Sequence, residues 1–184
     1  MTERPSDGPL AWNVAGLLAE DPGAERTYDV KGVRIDLGAD LRLAEPIGGR
    51  VRLIRTNRGI LASADLRAAL DLECSRCLRD LAFEVDARFQ EEYLPSLDLA
   101  TGRPIQGADE PDVARLNDHH ELDLETPVRE AFQLAEPIAP LCRPDCPGLC
   151  IVCGGRLDEG RHDHPDDVID PRLEALRGFR AGDA

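Results

Sequence analysis

The chain has 184 residues, enough for one domain with a real hydrophobic core and too few for two of ordinary size. Its 36 acidic against 22 basic side chains leave a net charge of -14, which opposes nonspecific wrapping of DNA or RNA and suits a basic partner. No apolar run approaches the roughly 18 residues of a membrane span, and the N-terminus lacks a basic stretch followed by an apolar one, so the expectation is a cytoplasmic protein without membrane attachment.

Leu10, Val14, Leu17 and Leu18 recur at helical spacing and predict a short N-terminal helix, ended by Asp21-Pro22-Gly23. From Tyr28 to Leu37 the period becomes two, with Val33, Ile35 and Leu37 opposite Arg34 and Asp36. This is a strand pattern in which Gly32 suits a bulge. Between Pro46 and Ala64, alternating segments flank Thr56-Asn57-Arg58-Gly59 and predict a hairpin. Two half-buried antiparallel strands follow, one through Leu66, Ala68, Leu70 and Leu72, the other through Leu81, Phe83, Val85, Ala87 and Phe89. The turn Cys74-Ser75-Arg76-Cys77 joins them.

Pro95 to Glu121 loses all period and reads as an acidic loop. Leu124, Val128, Ala131, Phe132 and Ala135 then mark an amphipathic helix that must stop before Pro137. Beyond the cysteines come a charged connector, Arg161 to Asp167, and a last helical stretch with Leu173, Leu176 and Phe179. The sum is an α+β fold: a curved antiparallel β-sheet of about five or six strands, a packed helix and a zinc-stabilised C-terminal segment. The expected organisation is an N-terminal helical segment (1–22), a β domain with the acidic loop and helix (23–140), and the cysteine cluster with the C-terminal helix (141–184).

Six cysteines in a reducing compartment suit metal thiolates better than disulfides. Cys142, Cys146, Cys150 and Cys153 lie within twelve residues and can converge on one tetrahedral zinc ion, as a closed shell with no open position for catalysis. Cys74 and Cys77 offer a second pair, so the alternative ligand set is Cys74, Cys77, Cys150 and Cys153. The local tetrad is favoured because its loops close at less entropic cost. Cys74 and Cys77 also admit a second function, thiol-disulfide exchange, although strands flank them where a redox pair uses a helix N-terminus. His119-His120 and His162-x-His164 sit in polar stretches and are read as solvated. Hydrolase, phosphate-loop and zinc-protease motifs are absent, so no enzyme is expected.

Arg50 and Arg52 share one face of a predicted strand, and Arg55 and Arg58 crowd its turn. Such a cationic tip suits a phosphate backbone, or else it pairs with the chain's own surplus carboxylates.

Several segments together resemble the bacterial YceD family of large ribosomal RNA subunit accumulation proteins. They are Asn13 to Leu18, Arg55-Thr56-Asn57-Arg58-Gly59-Ile60, Leu72-Glu73-Cys74-Ser75-Arg76-Cys77-Leu78 and Asp123 to Pro137, then Cys146 to Gly154 and Asp170 to Leu176. The resemblance implies a non-enzymatic factor supporting accumulation of large-subunit ribosomal RNA, in a family whose genes often neighbour that of a small large-subunit ribosomal protein. The expected partner is that RNA, through Arg50, Arg52, Arg55 and Arg58, or a basic ribosomal protein, through the acidic loops. Arg156-Leu157-Asp158 departs from the Asn-Leu-Asn common in the family.

Overall fold

The N-terminal apolar residues do not form one helix. In the computed structural model, which describes residues 8–98, 101–105, 113–164 and 172–173, they divide into a short strand β1 (Ala11–Asn13) and a single helical turn α1 (Ala15–Leu18). A helix this short is not stable alone. The Asn13 side chain accepts from the Ala15 amide at 3.1 Å, while β1 pairs with Glu121, Leu122 and Asp123, a partner that helical periodicity does not reveal.

Alternation carries the sheet. β2 (Glu25–Val33) ends four residues earlier than its pattern suggests, and its register shifts between Val30 and Val33 around Gly32, whose φ is +68°. After β3 (Arg42–Leu43), β4 (Ile47–Arg55) turns through Thr56–Gly59 into β5 (Ile60–Glu73), a 14-residue strand that joins two segments read separately from sequence. β6 (Asp80–Tyr93) returns along the whole of β5, from Ile60 opposite Tyr93 to Glu73 opposite Asp80. The sheet is open and antiparallel, ordered β2-β4-β5-β6, with β3 pairing β5 beyond the end of β4.

Val51 and Leu53 of β4, Ile60, Ala62, Ala64, Leu66 and Leu70 of β5, and Val85 and Ala87 of β6 form the buried face. After β7 (Glu121–Asp123), α2 (Glu125–Ala135) packs on β6 and sends Val128 and Phe132 into the same core, along with Leu10, Trp12, Val14 and Leu17. Asp123 accepts from the Glu125 amide at 2.9 Å at the helix start, and Glu125 pairs with Arg129 one turn on. Extended backbone at Glu136, before Pro137, ends it. Arg129 and Gln133 donate to the carbonyls of Asp36 and Leu37, which tie down the stretch after β2.

The opposite face is a ladder of alternating charge: Asp29, Arg50, Asp65 and Arg88 stand side by side on four strands. Leu176 and Phe179 of the expected C-terminal helix lie outside the described residues. No helix among the described residues is long and apolar enough to cross a membrane.

Candidate metal centre

β5 and β6 meet at Cys74-Ser75-Arg76-Cys77, where the chain reverses. The Leu78 amide donates to the Cys74 carbonyl at 2.9 Å and the Cys74 amide to the Arg79 carbonyl at 2.9 Å, with Leu78 held left-handed at φ +53°. This reversal turns both sulfurs toward one point. The chain leaving α2 crosses it, fixed by the Ser75 amide donating to the Pro140 carbonyl at 2.8 Å, and so delivers Cys142 and Cys146.

Cys74 Sγ lies 3.8 Å from Cys146 Sγ, and Cys77 Sγ lies 3.7 Å from Cys142 Sγ. Sulfurs bound at ~2.3 Å to one tetrahedral zinc ion stand roughly 3.8 Å apart, so these are metal-site spacings. They are far beyond a disulfide, and all six cysteines are free thiols. Cys74, Cys77 and Cys146 are buried, with Leu81, Leu141 and Leu149 packed around them. Four sulfur donors against an apolar wall are the donor set of a tetrahedral thiolate site.

The thiols differ in acidity. Backbone hydrogen bonds from Cys142 and Cys77 lower the Cys74 pKa to about 6. Burial raises that of Cys77, and burial with the neighbouring sulfurs pushes Cys142 up to about 12. A cation binding here displaces the remaining protons and holds the sulfurs as thiolates. Arg76 donates to the Cys146 carbonyl at 3.1 Å, and Arg156 reaches the carbonyls of Cys77 and Leu78, placing positive charge around a centre that is negative when filled.

The local tetrad expected from spacing is divided by the fold. Cys142 and Cys146 stand with Cys74 and Cys77, whereas Cys150 and Cys153 stand with His162 and His164. The alternative set, Cys74 and Cys77 with Cys150 and Cys153, is not assembled either. The β5–β6 hairpin and α2 bring residues 74–77 beside 142–146, so packing of the core closes the long loop whose entropic cost favoured the local tetrad. The two histidines read as solvated face cysteines instead. The missed signal is a Cys-x2-Cys followed nine residues later by His-x-His.

A family model described as large ribosomal RNA subunit accumulation protein YceD matches residues 62–180, a stretch that includes all six cysteines. The chain belongs to the YceD family. It is 36% identical over 145 residues to uncharacterised proteins of Mycobacterium tuberculosis and Mycobacterium bovis, covering 78% of this chain and 64% of theirs. To an uncharacterised protein of Mycobacterium leprae it is 31% identical over 160 residues, covering 80% of this chain and 66% of that protein. The chain thus spans just under two thirds of the length of the first two relatives. No solved structure matches it.

The arginine hairpin precedes the stretch matched by the YceD model, and its four cations are placed differently. Arg50 and Arg52 lie on the outer face of β4, 69% and 50% exposed, each 3.7 Å from a carboxylate, of Asp29 and Glu25 respectively. Arg58 pairs with Glu92. Arg55 instead turns inward and donates to the carbonyls of Leu18 and Gly59, each at 3.1 Å, and of Thr56. It fastens α1 to the turn.

Proposed function

We propose that the chain is a non-enzymatic cytoplasmic factor in assembly of the large ribosomal subunit, supporting accumulation of its RNA by holding a basic large-subunit ribosomal protein. Membership of the YceD family supports the ribosomal role. The observation that carries the choice of partner is electrostatic: on a body of net charge -14, each of Arg50, Arg52, Arg55 and Arg58 already faces a carboxylate or a carbonyl of its own chain. Surplus negative charge is therefore what a partner meets.

In this reading Cys74, Cys77, Cys142 and Cys146 hold zinc, since four soft thiolates in a closed tetrahedron favour that ion and leave it a structural role. Bound zinc also keeps Cys74 and Cys77 from disulfide exchange. A second reading has Arg50, Arg52 and Arg58 gripping large-subunit ribosomal RNA. It is favoured by the loose exposed pairs of Arg50 and Arg52, which are worth no more than about 1 kcal/mol each and exchange readily for phosphate.

The test is co-elution of the purified zinc-loaded protein with basic large-subunit ribosomal proteins and, separately, with fragments of large-subunit ribosomal RNA. A salt-sensitive complex with a basic protein, unchanged by Arg50→Ala/Arg52→Ala/Arg58→Ala, is expected. An RNA complex abolished by that variant, with no protein complex, replaces the first reading with the second.

A further inference from the structure

We propose that Cys150, Cys153, His162 and His164 form a second, separate tetrahedral site that holds its own zinc ion, so that the chain carries two. The two cysteine turns share one backbone device. At the second, the Gly154 amide donates to the Cys150 carbonyl at 2.8 Å and the Cys150 amide to the Gly155 carbonyl at 2.7 Å, with Gly154 left-handed at φ +72°. Residue for residue this repeats Cys74, Leu78 and Arg79. The device that presents two sulfurs to the first centre is therefore built twice.

The histidines complete the second copy. His162 Nδ1 stands 3.3 Å from Cys153 Sγ, while its Nε2 lies 2.8 Å from the Arg156 carbonyl. A carbonyl can only accept, so the proton sits on Nε2 and the Nδ1 lone pair points at the sulfurs, the outer-shell arrangement that orients a metal-bound imidazole. The ring rests on a bare glycine: a Cβ at Gly155 would stand 2.9 Å from His162 Cε1 and 3.4 Å from Cys153 Sγ. His164 Nε2 is buried and has no hydrogen-bond partner among the described residues. A metal bond would satisfy it. All four donor atoms lie within 4.8 Å of one another, and none belongs to the first group.

Two sulfurs and two nitrogens suit a tetrahedral zinc ion of the structural kind. Its effect would be to close the loop of residues 150–164, which otherwise has little apolar burial: Ile151 and Val152 at its tip are exposed. Because Cys153 is exposed while three of the four sulfurs of the first centre are buried, the second ion is the more accessible to a chelator.

The experiment is zinc analysis of the full chain by mass spectrometry, joined to zinc-edge X-ray absorption of the same sample. Two ions per chain with a mean shell of about three sulfurs and one nitrogen are expected, falling to one ion with an all-sulfur shell in His162→Ala/His164→Ala. One ion in the wild-type chain with a shell of sulfur alone would overturn the proposal. So would two ions whose shell and number the histidine variant leaves unchanged. The absorption measurement on the intact chain decides even if the variant does not fold.

Discussion

The guanidinium of Arg156 donates to the carbonyl of Cys77 at 3.0 Å, tying the loop of the second cysteine pair to the turn that carries the first. It also reaches the Leu78 carbonyl at 3.1 Å, while its own carbonyl meets His162. Beside it, Arg79 pairs with Asp158 and Glu159. Arg156 and Asp158 thus supply the contact between the two cysteine loops.

Arg156→Ala is expected to loosen that contact without emptying either centre. Charge-assisted hydrogen bonds to carbonyls are worth about 1 to 2 kcal/mol when half exposed. Zinc content would stay the same, and zinc transfer to a competing chelator would quicken about tenfold. Arg156→Lys would not restore the slow rate, because an ammonium cannot span two carbonyls as the guanidinium fork does.

Leu78 is held at φ +53° and is 55% exposed, so it bears backbone strain for little packing in return. Leu78→Gly should leave the zinc-loaded protein as stable or raise its stability by up to about 1 kcal/mol, the relief of a left-handed conformation less the entropy a glycine adds to the unfolded chain. Leu78→Val should lower it, since a branched Cβ tolerates that conformation least. Urea unfolding midpoints at matched zinc separate the two.

Much of this was legible in the chain. The alternation from Leu81 to Phe89 gives β6 its faces, and Val128, Ala131 and Phe132 give α2 its buried stripe, because both patterns are local. Ligand partition was not legible. Whether Cys142 pairs with Cys150 or with Cys74 depends on how the hairpin end meets the chain leaving α2, a long-range contact with no periodicity. The resemblance of the two cysteine turns was half hidden for a similar reason: Gly154 advertises its left-handed backbone, whereas Leu78 adopts the same conformation without the residue that signals it.

Glu92 accepts from Thr56 Oγ1 at 2.8 Å and pairs with Arg58, and these contacts hold its carboxyl below the usual range. A lowered folded-state pKa means stabilisation that is complete above the unfolded value, near 4.3, and is lost as the pH falls through the folded one. Glu92→Gln is therefore expected to cost about 1 kcal/mol at pH 7. The gap from wild type should close in acid, as both proteins come to carry a neutral group there. Thermal midpoints of the pair across pH 3 to 7 read this difference directly, with any loss of metal common to both.

Zinc binding to the first centre should release protons in a pH-dependent number. With a pKa of about 6, Cys74 is mostly thiolate at pH 7 and contributes little, whereas Cys77 and Cys142, both raised, give up theirs when the ion enters. At pH 5 Cys74 is protonated too and must also release one. Proton release per zinc should thus rise by about one between pH 7 and pH 5, and affinity should fall more steeply with acid below pH 6 than above it. Calorimetric titration of zinc into metal-free Cys150→Ser/Cys153→Ser, in buffers of different ionisation enthalpy, counts these protons at the first centre alone. A release that stays constant across that range would mean that Cys74 is not the acidic member of the four.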